Sequence, residues 1–170
     1  MHSFSRISLG AALVAASLFL IQAPSTAGQN GPSFATGKNG AISNRAAPVG
    51  YEANGTTLYA CVGNFNNGRH PGKIRQGFSG CNIGYGGKEY TANSYSVLTS
   101  PGRWVARADG NIPQRAPVVG NEADGSPLYM CRAQFNGSLA PGKIGPSTGS
   151  CNIGYGGKEY TIYSYDVYVQ

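Results

Sequence analysis

The sequence predicts an all-β protein made of two tandem repeats of short antiparallel strands, packed about a pseudo-dyad as one domain. Three observations lead there. The eleven-residue stretch CNIGYGGKEYT occurs twice, over Cys81 to Thr91 and over Cys151 to Thr161. Its seventy-residue offset continues without a gap: Gly50 corresponds to Gly120, Glu52 to Glu122, Leu58-Tyr59 to Leu128-Tyr129, and Pro71-Gly72-Lys73 to Pro141-Gly142-Lys143. Self-similarity at a fixed period marks a duplicated structural unit. Finally, no long stretch carries the 3.6-residue apolar period of a helix. Short runs rich in Tyr, Val, Ile and Thr alternate with turn residues instead.

Residues 1–27 read as a secretory signal peptide. Arg6 supplies a positive start, Leu9 to Ile21 a mostly apolar run too short to span a bilayer, and Ser25-Thr26-Ala27 small residues for cleavage. A secreted, extracellular protein follows. Residues 28–33 are a flexible leader, within a Gly-, Pro-, Ser- and Asn-rich tract that reaches residue 40 and runs into the first repeat at Phe34. The first repeat spans residues 34–100 and the second 101–170. The junction at Ser100-Pro101-Gly102 is too short to separate independent domains.

Within the first repeat, Ala47 to Tyr51 reads as a short strand and Asn54-Gly55 as a hairpin turn that accepts positive φ. Leu58 to Val62 is the return strand, with Leu58, Ala60 and Val62 on one face and Tyr59 and Cys61 on the other. Gly68 to Gly72 reads as a loop that delivers Lys73. Cys81 to Tyr85 and Tyr95 to Leu98 are further strands beside Gly86-Gly87. The second repeat reproduces this order, with Asp124-Gly125 as its hairpin turn. Asn54-Gly55-Thr56 and Asn136-Gly137-Ser138 are glycosylation sequons.

Thirteen Lys and Arg against seven acids give a net charge of +6, and removal of Arg6 with the signal leaves +5. The bases are scattered singly, which favours a solvated surface over a nucleic-acid partner. The four cysteines occupy equivalent positions in the two repeats, and export permits disulfides. Of three possible pairings, Cys61–Cys81 with Cys131–Cys151 is favoured, because each repeat then carries its own closure of about 3 kcal/mol. Zinc is the rival reading, but no close CxxC pair exists and there are only two histidines. No metal or cofactor is expected.

The sequence offers no nucleophile elbow, zinc-protease motif or phosphate-binding loop. His70 has Ala140 at the matching position, which reads as a surface-loop histidine and not a catalytic one. Glycosidases need two carboxylates across the scissile bond. Here the acids recur as equal copies, and equal copies suit binding better than turnover, so no enzyme is expected. The duplicated polar positions are Glu52/Glu122, Lys73/Lys143, Lys88/Lys158 and Glu89/Glu159. A carboxylate accepts hydrogen bonds from neighbouring sugar hydroxyls, and a lysine donates to the same oxygens. Tyr51, Tyr85 and Tyr155 offer rings for the apolar face of a sugar. Lys88-Glu89 also reads as a structural salt bridge beside a glycine turn.

The pattern Trp104-Val105, Gly110-Asn111, Gly120, Glu122-Ala123-Asp124-Gly125, Leu128-Tyr129, Pro141-Gly142-Lys143 and Tyr155-Gly156-Gly157-Lys158-Glu159, with its first-repeat counterparts, resembles the DM-nine repeat family. That family includes tandem-repeat mannose-binding lectins of bivalves. The resemblance covers residues 34–169 and implies an all-β, pseudo-symmetric fold with two sites, no metal, and dimers that gain avidity. In the mannose-binding members an acid after the Gly-x pair and the lysine of PGK hold the sugar. The matching residues are Glu52 and Lys73 in the first repeat, and Glu122 and Lys143 in the second. Departures are glutamate in place of the lectin aspartate, Tyr90 and Tyr160 in place of histidine after GKE, and Phe34 in place of tryptophan.

The expectation is therefore a secreted, calcium-independent lectin with two equivalent sites for mannose-containing glycans, supported by Tyr51, Tyr85, Tyr155, Lys88 and Lys158. The alternative is a secreted surface- or membrane-recognition module of toxin or defence type, with the basic first half touching lipid.

Overall fold

The computed structural model describes residues 31–170; the predicted signal peptide and the first residues of the leader lie outside them. The first repeat consists of seven strands: β1 (Phe34–Lys38), β2 (Pro48–Tyr51), β3 (Thr57–Phe65), β4 (Gly68–Ile74), β5 (Cys81–Tyr85), β6 (Lys88–Ala92) and β7 (Ser94–Leu98). The second repeats them as β8 (Arg103–Ala108), β9 (Gly120–Asn121), β10 (Pro127–Phe135), β11 (Ser138–Ile144), β12 (Cys151–Tyr155), β13 (Lys158–Ile162) and β14 (Ser164–Val169).

Turn chemistry sets the register. Asn66 and Asn67 both take positive φ, 45° and 60°, and close the β3–β4 hairpin; Asn136 and Gly137 do the same for β10–β11. Such mirror-image turns match the right-handed twist of the flanking strands. Gly86-Gly87, at 57° and 83°, turns β5 into β6, and Gly156-Gly157 turns β12 into β13. Beyond Asn54, Gly55 at 84° completes the β2–β3 turn, with its N–H bonded to the Glu52 carbonyl.

Three expectations are corrected. The Gly68 to Gly72 segment is strand β4 and not a loop, because the reversal is already made at Asn66-Asn67 and the chain returns along β3. The leader tract contains strand β1, paired along its length with β7. The return strand is longer than Leu58 to Val62 and is buried on both faces, so Cys61 packs inside as fully as Ala60. Strand β6 is additional; its polar run KEYTA conceals a strand whose charges have a task.

The repeats are joined by backbone. Tyr51 of β2 pairs with Leu139 of β11, and its dyad mate Asn121 of β9 pairs with Arg69 of β4. Strands β6 and β13 meet at Lys88 and Lys158. The ladder β3-β2-β11-β10-β9-β4 returns to β3 and closes a barrel. Three apolar clusters fill the molecule. One lies on the dyad and draws Val49, Ala60, Val62 and Leu98 from the first repeat, with Val119, Met130 and Tyr168 from the second. The other two belong to single repeats and contain the disulfides Cys61–Cys81 and Cys131–Cys151, the favoured pairing, each with Cα atoms 5.9 Å apart.

Candidate functional site

The 3.6-residue rule plays no part here; alternation along strands decides which residues meet. On β4, Lys73 lies opposite Asn82 of β5 and is almost wholly buried, 2% exposed. The turn after β2 brings Glu52 to it, and β6 brings Glu89. Lys73 Nζ stands 3.8 Å from Glu52 Oε1 and 3.7 Å from Glu89 Oε1. The ammonium thus lies between two carboxylates in a place where an unpaired charge would be penalised. Glu52 is steered from the other repeat, where Ser138 Oγ donates to its Oε2 at 3.4 Å. Arg75 approaches Glu52 at 3.5 Å, and its guanidinium carbon lies over Phe78, 4.1 Å from the ring centre.

The ring that completes this site comes from the second repeat. Lys73 Nζ sits 4.9 Å over Tyr155, and the cleft of about 500 Å³ is lined by Glu52, Lys73, Arg75, Asn82, Glu89 and Tyr155, among others. By the same exchange, Lys143 Nζ sits 4.9 Å over Tyr85 of the first repeat. Lys143 donates to Glu122 Oε1 at 3.1 Å. Both sites are therefore composite, each with a lysine and acid from one repeat and a tyrosine from the other. The structure brings Glu52 together with Lys73, and Glu122 with Lys143.

Glu89 and Glu159 were not singled out as ligand positions, and they hold the two hairpins together. The Gly157 N–H donates to Glu89 Oε2 at 2.9 Å, and the Gly87 N–H donates to Glu159 Oε2 at 2.8 Å. Each acid thereby fixes the turn beside the tyrosine of its own cleft. The expected Lys88-Glu89 salt bridge is corrected: neighbours on a strand point to opposite faces, and the partner of Glu89 is Lys73. Lys88 and Lys158 are exposed on the far face. Tyr51 is 42% exposed, accepts a hydrogen bond from Gln134 Nε2 at 3.2 Å, and stands outside the first cleft's lining.

His70 overturns its surface-loop assignment. It is fully buried on β4, against the edges of Phe65 and Tyr85. Its Nε2–H donates to the Phe65 carbonyl at 3.1 Å, which leaves Nδ1 to accept from Lys143 Nζ at 3.2 Å. Desolvation first, and the Lys143 charge second, lower its pKa, against the opposing pull of Glu122 and the Phe65 carbonyl. The two sites are thus related but not identical: where the second has His70, the first has Ala140, and Arg75 and Phe78 are replaced by Gly145 and Thr148. Among the described residues, no three His, Cys, Asp or Glu side chains converge as metal ligands.

The family model of the DM9 repeat matches residues 21–92 and again 79–162, so that each match ends one residue past a copy of the eleven-residue stretch. No curated protein matches the chain. Among solved structures the fold is similar to that of the nematode sperm cell motility protein MFP2B, with a TM-score of 0.57 and 16% identity. The likeness covers 82% of this chain and 47% of that one, so this chain spans just under half of that protein's length. At that identity it speaks to fold alone.

Proposed function

The chain belongs to the DM9 repeat family, and from that premise we propose that it is a secreted, calcium-independent carbohydrate-binding protein that recognises mannose-type glycans in the clefts around Lys73 and Lys143. Support comes chiefly from the first cleft: a buried ammonium between two carboxylates, with the Tyr155 ring alongside. Vicinal hydroxyls need an arrangement of this kind, acceptors and a donor within one sugar's width, and an aromatic face takes the C–H side of the ring. Binding without turnover fits the acids, which are committed to lysine or to backbone N–H groups. Two disulfides fit an oxidising, extracellular destination. Among the described residues no helix is long and apolar enough to cross a membrane.

Single-site affinity in the millimolar range, about 4 kcal/mol, would be raised by avidity when several sites engage one glycan. The test is retention of the mature protein on immobilised mannose without calcium, challenged with free mannose and then galactose. Elution by mannose alone is expected, and the double variant Glu52→Ala, Glu122→Ala should pass through unretained. Undiminished retention of that variant would remove these carboxylates from the site.

A further inference from the structure

The two clefts use matching positions yet leave their polar groups in different states. In the first, Lys73 Nζ makes no hydrogen bond among the described residues, its carboxylates standing at 3.7 and 3.8 Å. Glu89 Oε1 and Arg75 Nε are buried there without a hydrogen-bond partner, and the Glu89 side chain is only 9% exposed. Buried polar groups are nearly always hydrogen-bonded, so a donor, an acceptor and an ammonium that have only longer ionic neighbours, at 3.5 to 3.8 Å, point to a ligand in this cleft. In the second cleft the equivalent lysine and acid are engaged, and Gly145 stands in place of Arg75. Lys143 Nζ donates to His70 Nδ1 and to Glu122 Oε1, at 3.2 and 3.1 Å, and Asn152 Nδ2 donates to Glu159 Oε1 at 3.4 Å.

We propose that the two clefts are unequal: the first receives the ligand, a neutral polyol such as the vicinal hydroxyls of a hexose, whereas His70 closes the second by taking the hydrogen bond that Lys143 would give to a sugar oxygen. The ligand's identity rests on the carbohydrate reading above; the closure rests on His70 alone. His70 is held from behind. Its Nε2–H is fixed on the Phe65 carbonyl, and Phe65 and Tyr85 pack against the ring. A sugar entering beside Tyr85 must compete with His70 for the Lys143 ammonium, while the other group beside Nδ1, the Glu122 carboxylate at 3.8 Å, is an acceptor and offers the neutral imidazole no hydrogen. The first cleft carries no such group, because Ala140 stands where a second histidine would be.

The test is a titration with methyl α-mannoside, followed by the NMR ring signals of Tyr155 and Tyr85. Tyr155 should respond first, and Tyr85 only at about tenfold higher concentration, the worth of one charge-assisted hydrogen bond. His70→Ala, which installs the residue the fold already carries at position 140, should bring Tyr85 to within about twofold of Tyr155. The reciprocal Ala140→His should suppress the Tyr155 response. Equal response in the unaltered protein, or earlier filling beside Tyr85, overturns the inequality.

A silent titration at both rings would sink the mannose reading, and the closure is then decided without sugar. Lys143 ammonium protons should exchange about tenfold more slowly than those of Lys73, and His70→Ala should abolish the difference. Equal exchange in the unaltered protein overturns the closure whether or not mannoside binds.

Discussion

Burial keeps His70 neutral, and that neutrality ties stability to pH. An unfolded histidine titrates near 6.5, whereas desolvation and the Lys143 charge depress the folded value, against Glu122, Glu159 and the Phe65 carbonyl. On acidification the unfolded chain therefore takes up the proton first. The contribution is fully present above about pH 6.5 and is lost as pH falls towards the folded value. Melting temperature should drop between about pH 7.5 and pH 5, and His70→Ala should show a shallower drop; an identical slope would remove His70 as the titrating group. The sequence around His70 could not show this. Its chain neighbours Arg69, Pro71 and Gly72 have the composition of a loop, while Lys143, its polar partner, lies seventy-three residues away. Glu89 was hidden for the same reason: its sequence neighbour Lys88 is on the wrong face, and Lys73 and Gly157 reach it only through tertiary structure. Glu52, Lys73, Glu122 and Lys143 were legible, because duplication and the family motif mark them without any knowledge of what surrounds them.

At the level of strands, the barrel closes where glycine permits two backbones to touch. A Cβ on Gly50 would run into the Leu139 carbonyl oxygen, and one on Gly120 into that of Arg69. These are the two crossings that join β2 to β11 and β9 to β4. Gly50→Ala and Gly120→Ala should each destabilise the fold by about 3 kcal/mol, measured by urea denaturation, because neither carbonyl can withdraw without breaking its ladder. Alanine at Gly55, whose Cβ would meet open space but whose φ is 84°, should cost less, about 1 kcal/mol. Strands β2, β5 and β7 were readable from β-branched and aromatic runs next to turn residues. Strands β4 and β6 were not: Pro71-Gly72 imitates a turn, and KEYTA is polar because Glu89 enters a cleft while Lys88 and Thr91 are exposed.

Across the whole molecule, each repeat encloses its own disulfide in its own apolar cluster, while the dyad cluster and both clefts are shared. Each bridge closes a separation of 20 residues, so Cys61→Ala with Cys81→Ala should cost about 3 kcal/mol, read as a lowered denaturation midpoint. The pairing was reachable from spacing; the exchange of tyrosines was not, since a seventy-residue offset says that two halves match and nothing about how they interlock. Tyr155→Ala, a change in the second repeat, should weaken mannoside binding at Lys73 in the first by about tenfold in a calorimetric titration, and unchanged affinity would show that the ring is not a contact. The interlocking also accounts for the pattern of identity between the halves. Residues 81–91 give Asn82 and Glu89 to the cleft of Lys73 and Tyr85 to the site of Lys143. Residues 151–161 carry Asn152 and Glu159, bonded to each other, at the equivalent positions and give Tyr155 to the cleft of Lys73. The copies are mutual moulds, and altering one leaves neither cleft whole. Arg75 and Phe78 reach a single cleft, and there the halves have drifted, to Gly145 and Thr148. The eleven identical residues, taken as a stretch, serve both clefts at once, so a change in either copy is felt at two sites.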